Sequence, residues 1–475
     1  MNILAIDQGT TSTRALLHDG EVLRPVCQKA HRQIMPAKGH VEHDPDELLA
    51  NLDEALKTDA DLVGLANQGE SCLAWDARDG RPVSPVIVWQ DDRTAAETAH
   101  LQADGLGPEV MSRAGLPLDP YFSASKLGWI LRNCSEAAEL ARQGRLRMGT
   151  TDAFFRDRLT GRFQTDIATA SRTSLMNIET GQWDEELCRM FGVNRACLPE
   201  ITDTAGDLGV LPNGARLVVS IVDQQAALYG HDCRVPGAAK ITFGTGAFVQ
   251  CVTDRLVKPA QPGPLPTIAW RLPGQGVRYA LDGAVYTAAA AIDWARSLNL
   301  FRDYDEIGSF AKPAAIDRQL VFLPALAGLA CPHWDRKARG SWFGMSLEHG
   351  AHDLMQALLE GVAMRTAEVV QAIAAEQAIT SLSVDGGMAQ NDYLLSFLAG
   401  LLPQPVSRAR ETESTALGLV HMALDAEGTD RPAPISHQPV RPVEADRRLA
   451  DGRMAKFALI RERLSSLSHE LAALK

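Results

Sequence analysis

Asp7-Gln8-Gly9-Thr10-Thr11-Ser12-Thr13-Arg14 is the stretch on which the fold turns. It follows the apolar run Ile3 to Ile6 and leads into the strand-like run Arg14 to Leu17. The pattern predicts two strands joined by a polar turn, with no helix after it. A further short strand, Glu21 to Leu23, follows the turn signal Asp19-Gly20. A turn built from Thr10, Thr11 and Ser12 offers hydroxyls and backbone N–H groups to a phosphate without help from a helix dipole. Arg14 adds a fixed positive charge that meets phosphate in bidentate geometry. Asp7, at the end of the strand, is placed to hold Mg²⁺ through water, because that ion keeps several waters and takes few carboxylates. An ordinary polar hairpin has the same composition, so this stretch taken singly leaves both readings open.

The same signature returns half a chain later. Lys240 to Phe243 is strand-like, Gly244-Thr245-Gly246 is a turn, and Ala247 to Val252 is strand-like again. The recurrence predicts two domains of related architecture with a boundary near residues 225 to 235, and two such turns across a cleft make a holder for ATP. Asp385-Gly386-Gly387, after the strand Leu382 to Val384 and before Asn391, supplies glycines where a flat base can approach the backbone; a plain β-turn reads the same way.

Three loops follow apolar strands in the first half. Asp223-Gln224-Gln225 follows Leu217 to Ile221 and precedes a helical run, Ala226 to Gly230. Asp223 is either a helix cap or a carboxylate at a strand's C-terminal end, where α/β proteins bind ligands and where it can take a proton from a hydroxyl. In Asn67-Gln68-Gly69-Glu70, the side chains of Gln68 and Glu70 suit substrate hydroxyls; an exposed polar loop is the alternative. Trp89, before Gln90-Asp91-Asp92-Arg93, and Tyr121, in the turn Asp119-Pro120-Tyr121, are either core or the wall of a small pocket.

Composition removes most other classes. The chain has 475 residues, 45% apolar and 22% charged, which is ordinary for a globular protein of about two domains. Its net charge of −12 argues against nucleic acid and anionic membranes as partners. The longest apolar stretch, Leu320 to Pro332, is short for a membrane span and is interrupted by Pro324. No leader pattern opens the sequence, and the eight cysteines are scattered without a CxxC pair, so a cytoplasmic protein with reduced thiols is expected. Gly-Lys does not occur, and GxGxxG, HExxH and GxSxG are absent, which removes P-loop, dinucleotide, zinc-protease and serine-hydrolase readings. Helical periodicity marks Asp46 to Lys57, most of 94–159, Leu354 to Ala375, and the C-terminus from Arg447; residues 430–443 hold four prolines and read as a linker or strap.

With these residues in hand, the chain resembles the FGGY carbohydrate kinases, most of all their glycerol-phosphorylating members. The matching stretches are Asp-Gln-Gly-Thr-Thr-Ser at 7–12, Gly-His-Val-Glu-His-Asp-Pro at 39–45, Val-Trp-Gln at 88–90 and Asp-Pro-Tyr-Phe-Ser at 119–123. They continue with Ala-Ser-Arg-Thr at 170–173, Asp-Gln-Gln-Ala-Ala-Leu at 223–228, Gly-Thr-Gly at 244–246 and Leu-Asp-Gly-Ala-Val at 281–285. Cys-Pro-His-Trp-Asp at 331–335, Ala-Arg-Gly at 338–340 and Val-Asp-Gly-Gly at 384–387 complete the series.

The resemblance implies an α/β fold of two actin-like (ribonuclease-H-like) ATPase domains with an interdomain cleft. Residues 1–230 would be the polyol- or sugar-binding domain, 231–430 the ATP-binding domain, and 431–475 a proline-rich linker and C-terminal helix. It implies ATP and Mg²⁺, with Asp7 organising the metal and Asp223 the general base. Thr11, Arg14, Gly244, Thr245, Gly387 and Asn391 would contact ATP, with Thr10, Ser12, Gly246, Gly386 and Ala289 completing the nucleotide site. Glu70, Trp89, Tyr121, Gln224 and Phe248 would shape the polyol pocket. Three positions depart from the family pattern: Gly69 stands where glycerol-specific members carry Arg, Ala289 where Gly is usual, and Val222 where Gly precedes the catalytic Asp. Losing the Arg removes N–H donors and opens space beside the substrate, so a longer polyol or a ketose such as erythritol or xylulose joins glycerol as an expected substrate. A homodimer or homotetramer is the candidate assembly. The competing class is an actin-like ATPase or sugar-sensing nucleotide switch without kinase activity, against which the loops at 67–70 and 88–93 weigh.

Overall fold

In the computed structural model, the described residues are all but 260–261, 411–412, 430–435, 443 and 475; for 444–446 the backbone alone is described. The chain divides into two compact units, one of Met1–Asp232, Thr267–Tyr279 and Glu413–Pro434, the other of Cys233–Pro266, Ala280–Thr412 and Ile435–Lys475.

The first unit is built on a five-stranded sheet, in the order Arg216–Val222, Leu62–Asn67, Ile3–Gln8, Ser12–His18, Leu23–Ala30. The first three strands run parallel and the last three form the predicted antiparallel meander, although its third strand runs Leu23–Ala30 and not Glu21 to Leu23. Leu62–Asn67 is buried along its whole length, as a strand covered on both faces must be. On one face Leu4, Ile6, Val63 and Leu65 pack with Leu48 and Leu52 of the helix Pro45–Ala55. That helix starts where the sequence says it should: Pro45 is its first residue, and the Asp44 carboxylate accepts from the Asp46 N–H.

The helix Ser414–Ala426 belongs to this unit, although chain order alone leaves it with the second half. Two glycines make the packing. A Cβ on Gly230 would lie 1.9 Å from the Ser414 carbonyl oxygen, and one on Gly418 would lie 1.8 Å from that of Ala226. The helices Asp223–Gly230 and Ser414–Ala426 therefore meet backbone to backbone. Gly64 gives the same close approach to Leu419.

The helical prediction across 94–159 needs one correction. Leu146–Thr150 is a strand, paired antiparallel with Cys72–Asp76 in a smaller four-stranded sheet. Its pattern is too short to read without its partner.

The second unit is built around a sheet whose strands run in the order Ala247–Thr253, Ala238–Phe243, Ser381–Gly386, Val406–Ala409, His437–Pro439. Of the proline-bearing stretch 430–443, residues 430–435 and 443 lie outside the described residues, and His437–Pro439 is an edge strand against Val406–Ala409. The helix Ala351–Glu376 fills this unit's core with Leu358, Leu359, Val362 and Val369. The C-terminal helix Glu444–Ala473 docks through fully buried Phe457, and Arg453 forms an ion pair with Asp317. Among the described residues, no helix is long and apolar enough to cross a membrane.

Candidate functional site

Register decides what comes together in the first unit. Gln8 pairs with Asn67, and Asn67 with Val222. The chain therefore leaves three adjacent parallel strands at the same level, where Gly9 and Gln68 start two neighbouring loops and Asp223 starts a helix. This is where α/β sheets bind ligands.

The first loop is the predicted turn. Asp7 is opposite Arg14, and the Gly9 N–H donates to the Ser12 carbonyl at 3.0 Å. Asp7 is half-buried; burial pushes its carboxyl up to about 6, with Arg14 pulling it back less and Glu413 adding to the rise. Arg14 pairs with Glu413 at 2.5 Å. Glu413 lies 399 residues away in sequence, and nothing local to it singles it out. Thr11 is exposed, and Thr10, Ser12 and Arg14 are half-buried.

The second loop overturns the exposed-loop alternative: Asn67, Gln68, Gly69 and Glu70 are all buried. The Ser71 N–H donates to the Gly69 carbonyl at 2.7 Å, and Glu70 between them has φ 60°. This is a strained γ-turn, with its central residue in the left-handed region. Both ends of Glu70 are held: Arg172 donates to its carboxylate at 2.7 Å, and the Ser123 hydroxyl to its carbonyl at 2.8 Å. Arg172 was visible only as part of Ala-Ser-Arg-Thr at 170–173; its bond to Glu70 gives it a task.

Asp223 is the first residue of the helix Asp223–Gly230, and the cap position falls on Val222, which has no capping side chain. The cap reading is therefore displaced by one residue. The Asp223 carboxylate instead accepts from the Gln224 N–H at 2.6 Å, and both residues stay half-buried. Two departures from the family pattern also touch here: a Cβ on Gly69 would meet the Val222 methyls at 3.4 and 3.8 Å.

The aromatic residues complete this group. Trp89 and Tyr121 are half-buried and meet edge to face, with centroids 5.6 Å apart. Fully buried Lys126 donates to the Tyr121 carbonyl at 2.7 Å and fixes the turn that carries it. The Trp89 indole N–H donates to the Thr10 hydroxyl at 3.0 Å. Half-burial with one polar edge engaged suits a pocket wall better than a core.

The second unit holds the other predicted nucleotide residues by main chain. The Gly244 N–H donates to the Gly246 carbonyl at 2.9 Å, while the Gly244 and Thr245 carbonyls accept from the N–H groups of Ala288, Ala289 and Ala290. The turn thus satisfies the open end of the helix Ala289–Ser297. A Cβ on Gly246 would lie 2.5 Å from the Val285 carbonyl oxygen, and one on Gly386, at φ 89°, 2.2 Å from that of Phe243. Ala289, Gly387 and Asn391 line one cavity of about 650 Å³ with Ile292, Tyr304 and Met388. Asn391 also caps the helix Asp392–Leu401 through the Leu394 N–H, and its amide donates to the Ile307 carbonyl. Phe248, expected at the polyol pocket, belongs to this unit, half-buried on Ala247–Thr253 opposite Thr242.

Magnesium fits Asp7. A half-buried carboxylate whose ionised form is disfavoured by burial and by Glu413 gains from a cation. Among the described residues no trio of His, Cys, Asp or Glu gathers as a metal cage, and Mg²⁺ needs none when it keeps its waters.

Comparison with known proteins bears on the chain as a whole. Residues 2–220 match the N-terminal domain of the FGGY family of carbohydrate kinases, and residues 239–426 its C-terminal domain. The chain is 41% identical to a glycerol kinase of Trichlorobacter lovleyi over 443 residues, 89% of each protein. It is 44% identical to a glycerol kinase of Thermus brockianus over 437 residues, 88% of each. In three dimensions it is similar to a Plasmodium falciparum glycerol kinase crystallised with ADP, with a TM-score of 0.87 at 27% identity over 97% of this chain and 98% of that one. The chain belongs to the FGGY family of carbohydrate kinases.

Proposed function

We propose that this protein transfers the γ-phosphoryl group of ATP to a primary hydroxyl of a small polyol or sugar, with glycerol the nearest candidate. The observation that carries the reading is the shared level of three strand ends, which sets the Asp7–Arg14 turn, the Glu70 turn and Asp223 side by side. The named activity of its 41–44% identical relatives agrees with it.

In this reading the first unit binds the acceptor and the second the nucleotide. Glu70 and Gln224 accept and donate to the acceptor's hydroxyls, while Trp89, Tyr121 and Phe248 cover its carbon chain. Glu70 is already oriented by Arg172, so no ordering is needed when substrate arrives. Asp223 takes the proton of the attacking hydroxyl. Arg14 and the turn at residues 10–12 face the charge that spreads over the transferring group. Thr10, Thr11 and Ser12 here, and Gly244, Thr245, Gly246, Ala289, Gly386, Gly387 and Asn391 in the second unit, hold the nucleotide. Mg²⁺ at Asp7 would supply charge neutralisation to the phosphates. Gly69 removes the donors that an arginine would offer at that position, so erythritol or xylulose are acceptors to set beside glycerol.

ADP release measured with a panel of polyols and ketoses tests this. Release that rises only when an acceptor is present is the expected result. Release indifferent to every acceptor would overturn the kinase reading in favour of an ATPase or nucleotide switch.

A further inference from the structure

Beneath the first turn lies a polar circuit that the chemistry above does not use. The Trp89 indole N–H donates to the Thr10 hydroxyl at 3.0 Å, and the Trp89 backbone N–H to the Ser71 hydroxyl at 3.1 Å. Ser71 donates to the Gln68 amide oxygen at 3.2 Å, and the Gln68 amide nitrogen lies 3.2 Å from His43 Nδ1. The His43 and His31 rings meet edge to face, with centroids 4.7 Å apart. His31 Nε2 lies 2.9 Å from the Thr10 carbonyl. The path leaves Thr10 by its hydroxyl and returns by its carbonyl.

The proton inventory is self-consistent. A carbonyl only accepts, so His31 carries its proton on Nε2 and presents a bare Nδ1. A Gln amide nitrogen only donates, so His43 accepts on Nδ1 and carries its proton on Nε2. Each of these two rings keeps one buried nitrogen without a hydrogen bond, Nδ1 of His31 and Nε2 of His43. One is an acceptor and the other a donor, on rings already in contact. Burial pushes His43 down to about 4 and holds His31 below its usual value, so both stay neutral at pH 7. Unmet polar groups at this depth are costly and deserve a reason.

We propose that His31, His43, Gln68 and Ser71 are positioning residues that couple the phosphate-binding turn at Thr10 to the acceptor wall at Trp89 and Glu70. This rests on the kinase reading of the same site. Two arms run from Thr10, one to Trp89 directly and one through the histidines to Gln68, which is two residues from Glu70. A nucleotide that draws the turn around its phosphates moves both arms, and the open His31–His43 contact is the place where the second arm tightens. By reciprocity, acceptor binding then strengthens nucleotide binding by the same factor.

The test is calorimetric binding of glycerol with and without saturating MgADP, on the full chain. Wild type should bind glycerol at least about fivefold more tightly with MgADP, the low end of ordinary coupling. His31→Leu should bring that ratio to within about twofold of one. His31→Gln, whose amide N–H reaches the Thr10 carbonyl, should keep most of it. Ser71→Ala removes the link between the far ends of the two arms, from the Trp89 N–H to the Gln68 amide oxygen, with little change in volume and should also lower the ratio, which keeps the idea testable if His31→Leu does not fold. A wild-type ratio near one, an undiminished ratio in both broken variants, or equal losses in His31→Leu and His31→Gln would each overturn the proposal. A wild type that binds MgADP yet neither binds nor phosphorylates any acceptor sinks the kinase reading, and this inference with it.

Discussion

The two glycine–threonine turns have the same backbone plan and opposite means of support. Each joins two antiparallel strands, and in each the first strand also pairs in parallel with one from later in the chain, Leu62–Asn67 for the first and Ser381–Gly386 for the second. The first turn is surrounded by side chains that carry charge or protons: Asp7, Arg14, Glu413 and His31. The second is held by main chain, through carbonyls that accept from residues 288–290 and glycines pressed against the carbonyls of Val285 and Phe243. One plan used twice has thus been specialised. The first copy can move protons and answer charge; the second can hold a ligand close but has little chemistry of its own.

If that division is right, the largest effect comes from the charged side. Asp223→Asn keeps shape and removes the proton acceptor, so turnover should fall by at least ~10²-fold, while the Kd for ADP changes by no more than about threefold. Steady-state rates and calorimetry on the same preparation check both halves. Turnover near wild type would take Asp223 out of the mechanism.

Gly9 of the first turn should then differ from Gly386, which ends the strand Ser381–Gly386 beside the second turn. Gly386 sits at φ 89° and ψ 170°, a region almost closed to side chains, and its Cβ would lie 2.2 Å from the Phe243 carbonyl oxygen. Gly386→Ala should cost about 1–3 kcal/mol from the backbone conformation alone, read in denaturant melts. In the first turn a Cβ on Gly9 meets nothing nearer than the Ser12 carbonyl oxygen at 3.5 Å, an ordinary contact. Gly9→Ala should stay within about 0.5 kcal/mol of wild type. Equal costs at the two positions would remove the distinction between a turn held by side chains and one held by backbone.

These contrasts show which parts of the molecule the sequence makes legible. Asp7, Arg14, Gly244 and Asp223 stand at the ends of apolar strands, so local pattern places them and their register follows. Glu413 and Arg172 act through partners 399 and 102 residues away, and no local pattern joins such pairs. His31, and His43 within the matching stretch 39–45, carry no contact that local pattern can read, and both are buried in the fold. The helix Ser414–Ala426 is readable as a helix, but its place is set by Gly230 and Gly418 together, and each glycine seen singly is only a weak helix residue.

Burial of Asp7 also makes the first turn sensitive to pH in a way the second is not. Its carboxyl titrates at about 6 instead of the usual 3.8. A raised carboxyl pKa favours the folded state at low pH; that contribution is whole below the unfolded value and is lost as pH rises through about 6. Metal binding has the opposite demand, since it needs the carboxylate. The Mg²⁺ concentration for half-maximal turnover should therefore rise by up to about tenfold for each pH unit below 6 and stay level above 7. A requirement flat from pH 5 to 8 would mean that Asp7 does not meet the ion. Asp7→Asn should abolish the pH dependence while keeping the fold.

The finest contrast lies within the first unit, between Gly69 and the Val222 it touches. A Cβ at 69 fits, at 3.4 Å from the nearer Val222 methyl, and a longer side chain there starts against that methyl. The two departures are thus not independent: valine at 222 occupies part of the route that an arginine at 69 would take. Gly69→Arg alone should lower kcat/KM for every acceptor, because the new side chain is forced into the site at an angle set by the valine. Gly69→Arg with Val222→Gly should instead shift the ratio of kcat/KM for glycerol over erythritol toward glycerol by about tenfold, the scale of a modest pocket change. Val222→Gly alone should move the ratio little, since it adds space without adding a donor. If the double variant merely sums the two single ones, the contact between 69 and 222 has no part in choosing the acceptor, and the length of the substrate is set by Trp89 and Tyr121.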